Sequence, residues 1–374
     1  MKTRALILAG ALVVLGATAC KVDEDYDLKN LVTEITILKG AQFPIPSPYP
    51  ITLADILSLD GISYIVVDDN GDYCISFALD PIQLSLEIPQ EITPDNNRIP
   101  TRFIPKPYTF EGIPDFLSLE GTDLSEMEIR LSLDSSVPAF FTVNSQFETL
   151  AEGVVKRSYL IENLEVPYGK TDYRLRERSD GSEGCILVPD LGKLLSPVPD
   201  AFQVSGLEVF ATQDQLSLLR PGATYDITCQ TSAWSPISFS ENTRFTVSAP
   251  LDAELNLAEV GLKKAVLHMD VENTIPLDFK VDLQALDSSG QNIETIRFSE
   301  AGSFSIPGRQ TSSAALSLTT QGDLRFASLV LTLKASSNPA IAGIHFNNSQ
   351  FIRFSNLYLE LPDGIQVKIG TADK

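Results

Sequence analysis

Apolar and polar positions alternate along this chain in short stretches, and turn-forming residues separate them. In "SYIVVDDNGDYCISF", two runs rich in β-branched and aromatic residues flank Asn70-Gly71. That pair tolerates positive φ, so the stretch predicts a hairpin. "DYRLRERSDGSEGCILV" and "VDLQALDSSGQNIETIRF" repeat the theme with longer glycine-containing loops, and "NLYLELPDGIQVKIG" turns at Pro362-Asp363-Gly364. A period of two gives each strand one face for a core and one for water. Helical signals are brief: "TLADILSL" from Thr52, "PDLGKLL" near Leu191 and "NLAEVGLKK" near Leu257. The pattern predicts an all-β, mainly antiparallel fold of β-sandwich type with a few short helices.

The pattern also repeats. "IRLSLDSSVPAFFTV" (Ile129 to Val143) aligns with "LHMDVENTIPLDFKV" (Leu267 to Val281) at a constant offset of 138, which matches Val137-Pro138 with Ile275-Pro276. Pro167 and Pro307 match at an offset of 140. Upstream, Tyr73, Ile75 and Ser76 align with Tyr225, Ile227 and Thr228 at 152, and Pro81-Ile82 with Pro236-Ile237 at 155. The fall from 155 to 138 implies 17 extra residues in the first copy. Pro89 to Pro107, with five prolines and almost no apolar periodicity, reads as that insertion. Strand-rich chains resemble themselves by chance, but order kept across four landmarks favours a diverged duplication. The expected organisation is a leader at 1–19, a tether at 20–44, and tandem β-domains at 45–212 and 213–374.

The leader carries the most specific signal. Met1-Lys2-Thr3-Arg4 is a short basic head, and Ala5 to Gly16 is an uncharged apolar run. A bilayer span needs roughly 20 apolar residues, so this run fits the centre of an export signal instead. Ala17-Thr18-Ala19 supplies small residues for cleavage, and alone would suit the peptidase that releases soluble proteins. Cys20 directly after them resembles the lipobox of bacterial lipoproteins, in which the thiol is alkylated by diacylglycerol and the new amino end is acylated. Ala17 departs from that motif, which usually has leucine there. The resemblance makes Cys20 both cut and anchor, since several acyl chains on one residue hold a protein stably on a membrane. Lys21, Asp23, Glu24 and Asp25 follow at once. This run resembles the export signal of surface-exposed outer-membrane lipoproteins of the Bacteroidota type, and "DYDLKN" and "ITLADIL" are similar to uncharacterised members of that group. The resemblance implies a lipid-anchored protein facing the cell exterior. An ordinary polar tether would use the same residues.

Charge narrows the partners. Removing Lys2 and Arg4 with the leader leaves 26 basic residues against 49 acidic ones, a net charge of −23. Such a body repels nucleic acid, so the expected partners are the membrane, through the anchor, and an extracellular protein or glycan. Cys74, Cys185 and Cys229 lie in apolar runs without zinc-site spacing and read as small buried hydrophobes, with one disulfide permitted but not required.

Little in the sequence points to catalysis. There are two histidines, His268 and His345, and the sequence reads both as surface residues. No Gly-x-Ser-x-Gly elbow, H-E-x-x-H pair or P-loop occurs. "DDNGD" offers alternating oxygens at Asp68, Asn70 and Asp72, but Tyr73 and Leu79 stand where an EF-hand needs Gly and Glu, and a hairpin turn accounts for the residues. In "RLRER", Arg174, Arg176 and Arg178 share one strand face, as a charged protective edge would, with an anion-binding patch as the alternative. Trp234 alone has the ring best suited to stack on sugars. A strand–Asn–x–x–Pro–strand feature at Asn273 and Pro276 is similar to water-stress-hypersensitive type β-sandwich domains, with Ser135 in the Asn position of the first copy. That resemblance implies a sandwich and no activity. The leading expectation is a non-enzymatic surface lipoprotein with a binding or structural and adhesive role and no cofactor. Its rivals are a glycan- or nutrient-binding accessory lipoprotein of an uptake system and a carboxylate-dependent hydrolase.

Overall fold

Buried and exposed residues alternate along the strands as the pattern requires, and their pairing shows how the chain is assembled. The computed structural model describes residues 33–369 except 48, 91–97, 100, 102, 119–120, 180, 242, 252–261, 288, 299–302 and 325–327. Cys20, Lys21, Asp23, Glu24 and Asp25 lie outside the described residues.

The described chain opens with β1 (Thr33–Ile37), β2 (Ala41–Pro44) and β3 (Ile51–Thr52), which runs into α1 (Leu53–Leu57). Thr52 and Asp55 form a reciprocal capping box there, so the helix starts where the sequence placed it. Next come β4 (Ile65–Val67), β5 (Tyr73–Ala78), β6 (Ile82–Glu87), and the short β7 (Arg98–Ile99), β8 (Tyr108–Thr109) and β9 (Thr122–Asp123). A run of longer strands follows: β10 (Glu128–Ser135), β11 (Phe141–Ala151), β12 (Val154–Val166), β13 (Gly169–Arg176), β14 (Cys185–Leu187) and β15 (Ala201–Phe210). After α2 (Gln213–Ser217) come β16 (Thr224–Pro236), β17 (Ser238–Phe239), β18 (Arg244–Leu251), β19 (Leu262–Asn273) and β20 (Asp278–Leu286). The chain closes with β21 (Ile296–Phe298), β22 (Ser303–Ile306), β23 (Gln310–Leu324), β24 (Ser328–Ser336), β25 (Phe351–Leu361) and β26 (Ile365–Ile369).

The repeat is visible in the wiring. In the first copy β10 pairs with β13 and β16, while β11 pairs with β12 and β15. In the second, β19 pairs with β23 and β25, while β20 pairs with β22 and β24. Pro138 and Pro276 thus occupy equivalent corners, where the chain leaves one sheet and enters the other. Ile129, Leu131 and Leu133 are buried, as are their counterparts Leu267, Met269 and Val271. In the first copy Leu131 and Leu133 face Val143, Phe147 and Leu164 across the sandwich, around an apolar cavity of about 40 Å³. Phe77 and Phe147, from opposite sheets, both lie against Phe202 at ring distances of 5.4 and 5.8 Å. Burying each such ring stabilises the fold by about 1.5–3 kcal/mol.

The corners differ in chemistry. Ser135 Oγ accepts one hydrogen bond, from the Val137 amide at 3.2 Å. Asn273 Oδ1 accepts from the Ile275 amide at 2.9 Å, and its Nδ2 also donates to the carbonyls of Leu277 at 2.9 Å and Pro307 at 3.1 Å. Both side chains are buried. The Asn–x–x–Pro feature is therefore a corner clamp, and Ser135 keeps only its first bond.

Long-range pairing departs from the local reading in several places. Tyr73 to Ala78 (β5) is not the counterpart of the strand starting at Thr224, because β5 and β6 lie beside that strand, β16, in one sheet. The counterparts of β5 and β6 are β2 and β3, which pair with β25 as β5 and β6 pair with β16. Relative to the expected boundary at 212/213, β16 pairs with strands before it, and β1, β2 and β3 pair with strands after it. The strands on either side of "RERSDGSEG" are no hairpin: β13 and β14 run parallel, with Arg174 opposite Cys185. β21 pairs with β23, not with β20 before it, and β26 pairs with β1 and the start of β19, not with β25 before it. The Asn70-Gly71 hairpin does form, with Val67 opposite Tyr73 and Gly71 at φ +86°. Within Pro89 to Pro107, β7 pairs with β15 and buries Ile99, and Thr101 Oγ1 donates to the Leu207 carbonyl at 3.3 Å, so the described part of that stretch is tied to the sheet. Leu191 to Leu194 forms a 3₁₀ turn, and the helix expected near Leu257 falls mainly on residues outside those described.

Candidate functional site

Strand alternation carries Leu267, Met269 and Val271 into the core of the second copy, which leaves His268 and Asp270 on the outer face of its sheet. Register then places Tyr358 opposite His268 on one side, and Ser313 opposite Asp270 on the other. The His268 and Tyr358 rings stack with centroids 4.5 Å apart and planes 9° from parallel. His268 Nε2 lies 2.8 Å from Glu360 Oε2. The surface reading of His268 is thereby corrected: neighbours on β25 half-bury and bond it, which no local pattern could show. Asp270 accepts the Ser313 hydroxyl at 2.5 Å and the Asn356 amide at 2.6 Å. These bonds, Ser313 first, hold its carboxyl below the usual range. Asn356 sits at φ +50° where the β19–β25 register shifts, and this bulge accompanies its reach to Asp270. Gln42 and Pro44 from β2, with His268, Asp270, Ser313, Asn356 and Tyr358, line an open groove of about 710 Å³. The groove presents one carboxylate, two side-chain amides, a hydroxyl and a stacked ring pair, a set suited to a polar, hydroxyl-rich ligand.

His345 sits where the two copies meet. Its Nδ1 lies 3.1 Å from Asp72 Oδ2 and its Nε2 3.5 Å from Glu126 Oε1, so it too is more than a surface residue. Asp72 also accepts from Asn347 Nδ2 at 3.0 Å, and Asp68 Oδ1 caps the turn by accepting the amides of Asn70 and Asp72, each at 2.9 Å. The Asp68 and Asp72 carboxylates of "DDNGD" are engaged in turn and junction bonds. Among the described residues no group of three His, Cys, Asp or Glu is placed to hold a metal ion.

Cys74, Cys185 and Cys229 are all free thiols. Burial, followed by the charges of Asp68 and Asp72, pushes Cys74 up to about 12. The arginines of "RLRER" do not form a bare edge. Leu175 is buried, β14 covers the flank of β13, and Arg176 pairs with the buried carboxylate of Glu128, as does Arg130. Sequence reasoning missed Glu128, because its alternation with Arg130 and Ser132 marks a solvent-facing row. Trp234 lies opposite Glu128 and is half-buried.

No family model matches the chain, and no curated protein matches it. Among solved structures it is similar to a protein from Parabacteroides distasonis, of the Bacteroidota, that is inferred to be secreted. The two are 14% identical over 86% of this chain and 99% of the other, with a TM-score of 0.55. At that identity the likeness shows a shared all-β fold. A structure of the infectious bursal disease virus Gx strain aligns at 9% identity over 91% of this chain and 82% of the other, with a TM-score of 0.19. An insecticidal delta-endotoxin from Bacillus thuringiensis aligns at 10% identity over 89% of this chain and 61% of the other, with a TM-score of 0.15. Neither score carries an argument. No helix among the described residues is long and apolar enough to cross a membrane.

Proposed function

We propose that this protein is a non-enzymatic lipoprotein, anchored through Cys20 to the outer membrane and displayed on the cell exterior, where its duplicated β-sandwiches bind a ligand or serve a structural role. The observation that carries the reading is the position of Cys20, which ends an export signal and opens the acidic run to Asp25. Chance seldom places one of four cysteines at such a junction. A shared fold with a Bacteroidota protein inferred to be secreted is consistent with it. The His268–Tyr358 groove favours ligand binding over a purely mechanical role, and so supports a glycan- or nutrient-binding accessory lipoprotein as the more specific form.

Two changes separate anchoring from display. Cys20→Ala abolishes labelling by a fatty-acid probe and frees the chain from the membrane fraction. Replacing Asp23, Glu24 and Asp25 together by alanine leaves labelling intact but protects the protein from protease added to whole cells. Unlabelled wild-type protein would defeat the anchor, and unchanged protease access in the triple variant would reduce the acidic run to a tether.

A further inference from the structure

The outer face of the first copy's larger sheet carries a cationic cluster that the groove of the second copy does not share. Arg130 on β10 stands directly opposite Arg174 on β13, and Arg176 stands opposite Glu128. Glu128 is the organising group. Its side chain is 0% exposed and accepts from Arg130 at one oxygen and from Arg176 at the other. A buried carboxylate held between two guanidinium groups fixes their positions, and the Arg130 side chain remains 63% exposed. On the other side of Glu128 the register places Trp234, the single tryptophan of the chain, on the same row. Asp172 occupies the row beyond Arg130 and Arg174, where its carboxylate accepts the Ser132 hydroxyl at 2.5 Å.

We propose that this face, centred on Arg130 and Trp234 with Arg174 and Arg176 beside them, binds a saccharide bearing carboxylate or sulfate groups. The proposal rests on the binding role given above and names a ligand class for a second surface. Guanidinium forks match carboxylate and sulfate oxygens bidentately, and an indole ring matches the apolar face of a pyranose. A linear chain lying along the row of Arg130, which is 63% exposed, would reach both. Nucleic acid is disfavoured, since a dense polyanion meets the repulsion of the whole acidic body.

The test uses the full-length chain purified in detergent, with calorimetric titration against oligogalacturonate, a heparin hexasaccharide, neutral maltohexaose and inorganic sulfate. We expect binding to one or both anionic oligosaccharides and not to maltohexaose, weakening several-fold between 50 and 200 mM salt on the order expected for released counterions. Preference for oligogalacturonate assigns the carboxylate, and preference for heparin assigns the sulfate. Arg130→Ala should weaken binding at least about tenfold and Arg130→Lys by less, because lysine keeps the charge without the fork. Arg130→Ala also takes one of the two donors from buried Glu128 and should melt below wild type, so its fold is checked by circular dichroism before titration. Trp234→Ala, which leaves both ion pairs in place, keeps the test independent of stability. Trp234→Ala should cost a similar factor for the oligosaccharides and leave sulfate unchanged. No preference for the anionic sugars, equal affinity for inorganic sulfate, or an unaffected Arg130→Ala would each overturn the proposal. None of these outcomes bears on anchoring, which the labelling and protease experiments test separately.

Discussion

The two copies share a wiring diagram and differ in what they do with it. Position 135 and position 273 mark the same corner, yet Ser135 makes one bond there and Asn273 makes three. On the outer faces the same register gives Ser132 opposite Asp172 in one copy and Asp270 opposite Ser313 in the other, the same pair with donor and acceptor exchanged. One row away, Arg130 corresponds to His268. The corner and the cross-strand pair tolerate such exchange because they need a hydrogen bond, not a particular side chain. The neighbouring positions are under no such demand, and there the copies have become chemically distinct.

The corner offers the largest test of that comparison. Asn273→Ala leaves buried groups at Ile275, Leu277 and Pro307 without their partner, and should cost about 2–4 kcal/mol in urea unfolding. Ser135→Ala should cost about 1 kcal/mol, and Asn273→Ser should fall between them. Equal losses at the two sites would break the equivalence of the corners as an energetic statement. The outer face gives the next effect. A double-mutant cycle on His268→Ala and Tyr358→Ala should show a coupling of about 1 kcal/mol from the ring stack. An additive cycle would mean that the rings are neighbours without interaction.

Thiol chemistry sharpens the contrast between core and edge. Cys74 is buried with its thiol pushed up to about 12, so a thiolate-directed reagent should label half-buried Cys185 well before it in native protein. Labelling of Cys74 first would show that its surroundings open. The smallest effect concerns Asp270. Its carboxyl lies below the usual range because Ser313 and Asn356 donate to the charged form. The stabilisation it contributes is complete above the unfolded pKa, near 3.9, and is lost as pH falls through the lower folded value. Ser313→Ala should raise the Asp270 midpoint toward the ordinary value in an NMR titration, and no movement would remove that hydroxyl as the cause.

Much of the fold is legible in the order of residues alone. Alternation identifies the strands, Asn70-Gly71 a hairpin, Thr52 and Asp55 a helix start, and the paired prolines a repeated corner. These features depend on φ and ψ preferences and on side-chain period, which residues impose on themselves and their near neighbours. The candidate site is legible only in part. Alternation places His268 on the outer face, but its partners Tyr358 and Glu360 stand about 90 residues away in sequence. Distant partners also set Arg176 on Glu128, 48 residues away, and the return of β2 and β3 to β25. Each depends on which strands lie side by side once the apolar faces have found each other. Many registers bury a given set of Val, Ile and Leu about equally well as seen from one strand. Only the simultaneous packing of all of them selects one, and with it the polar groups that meet on the outside.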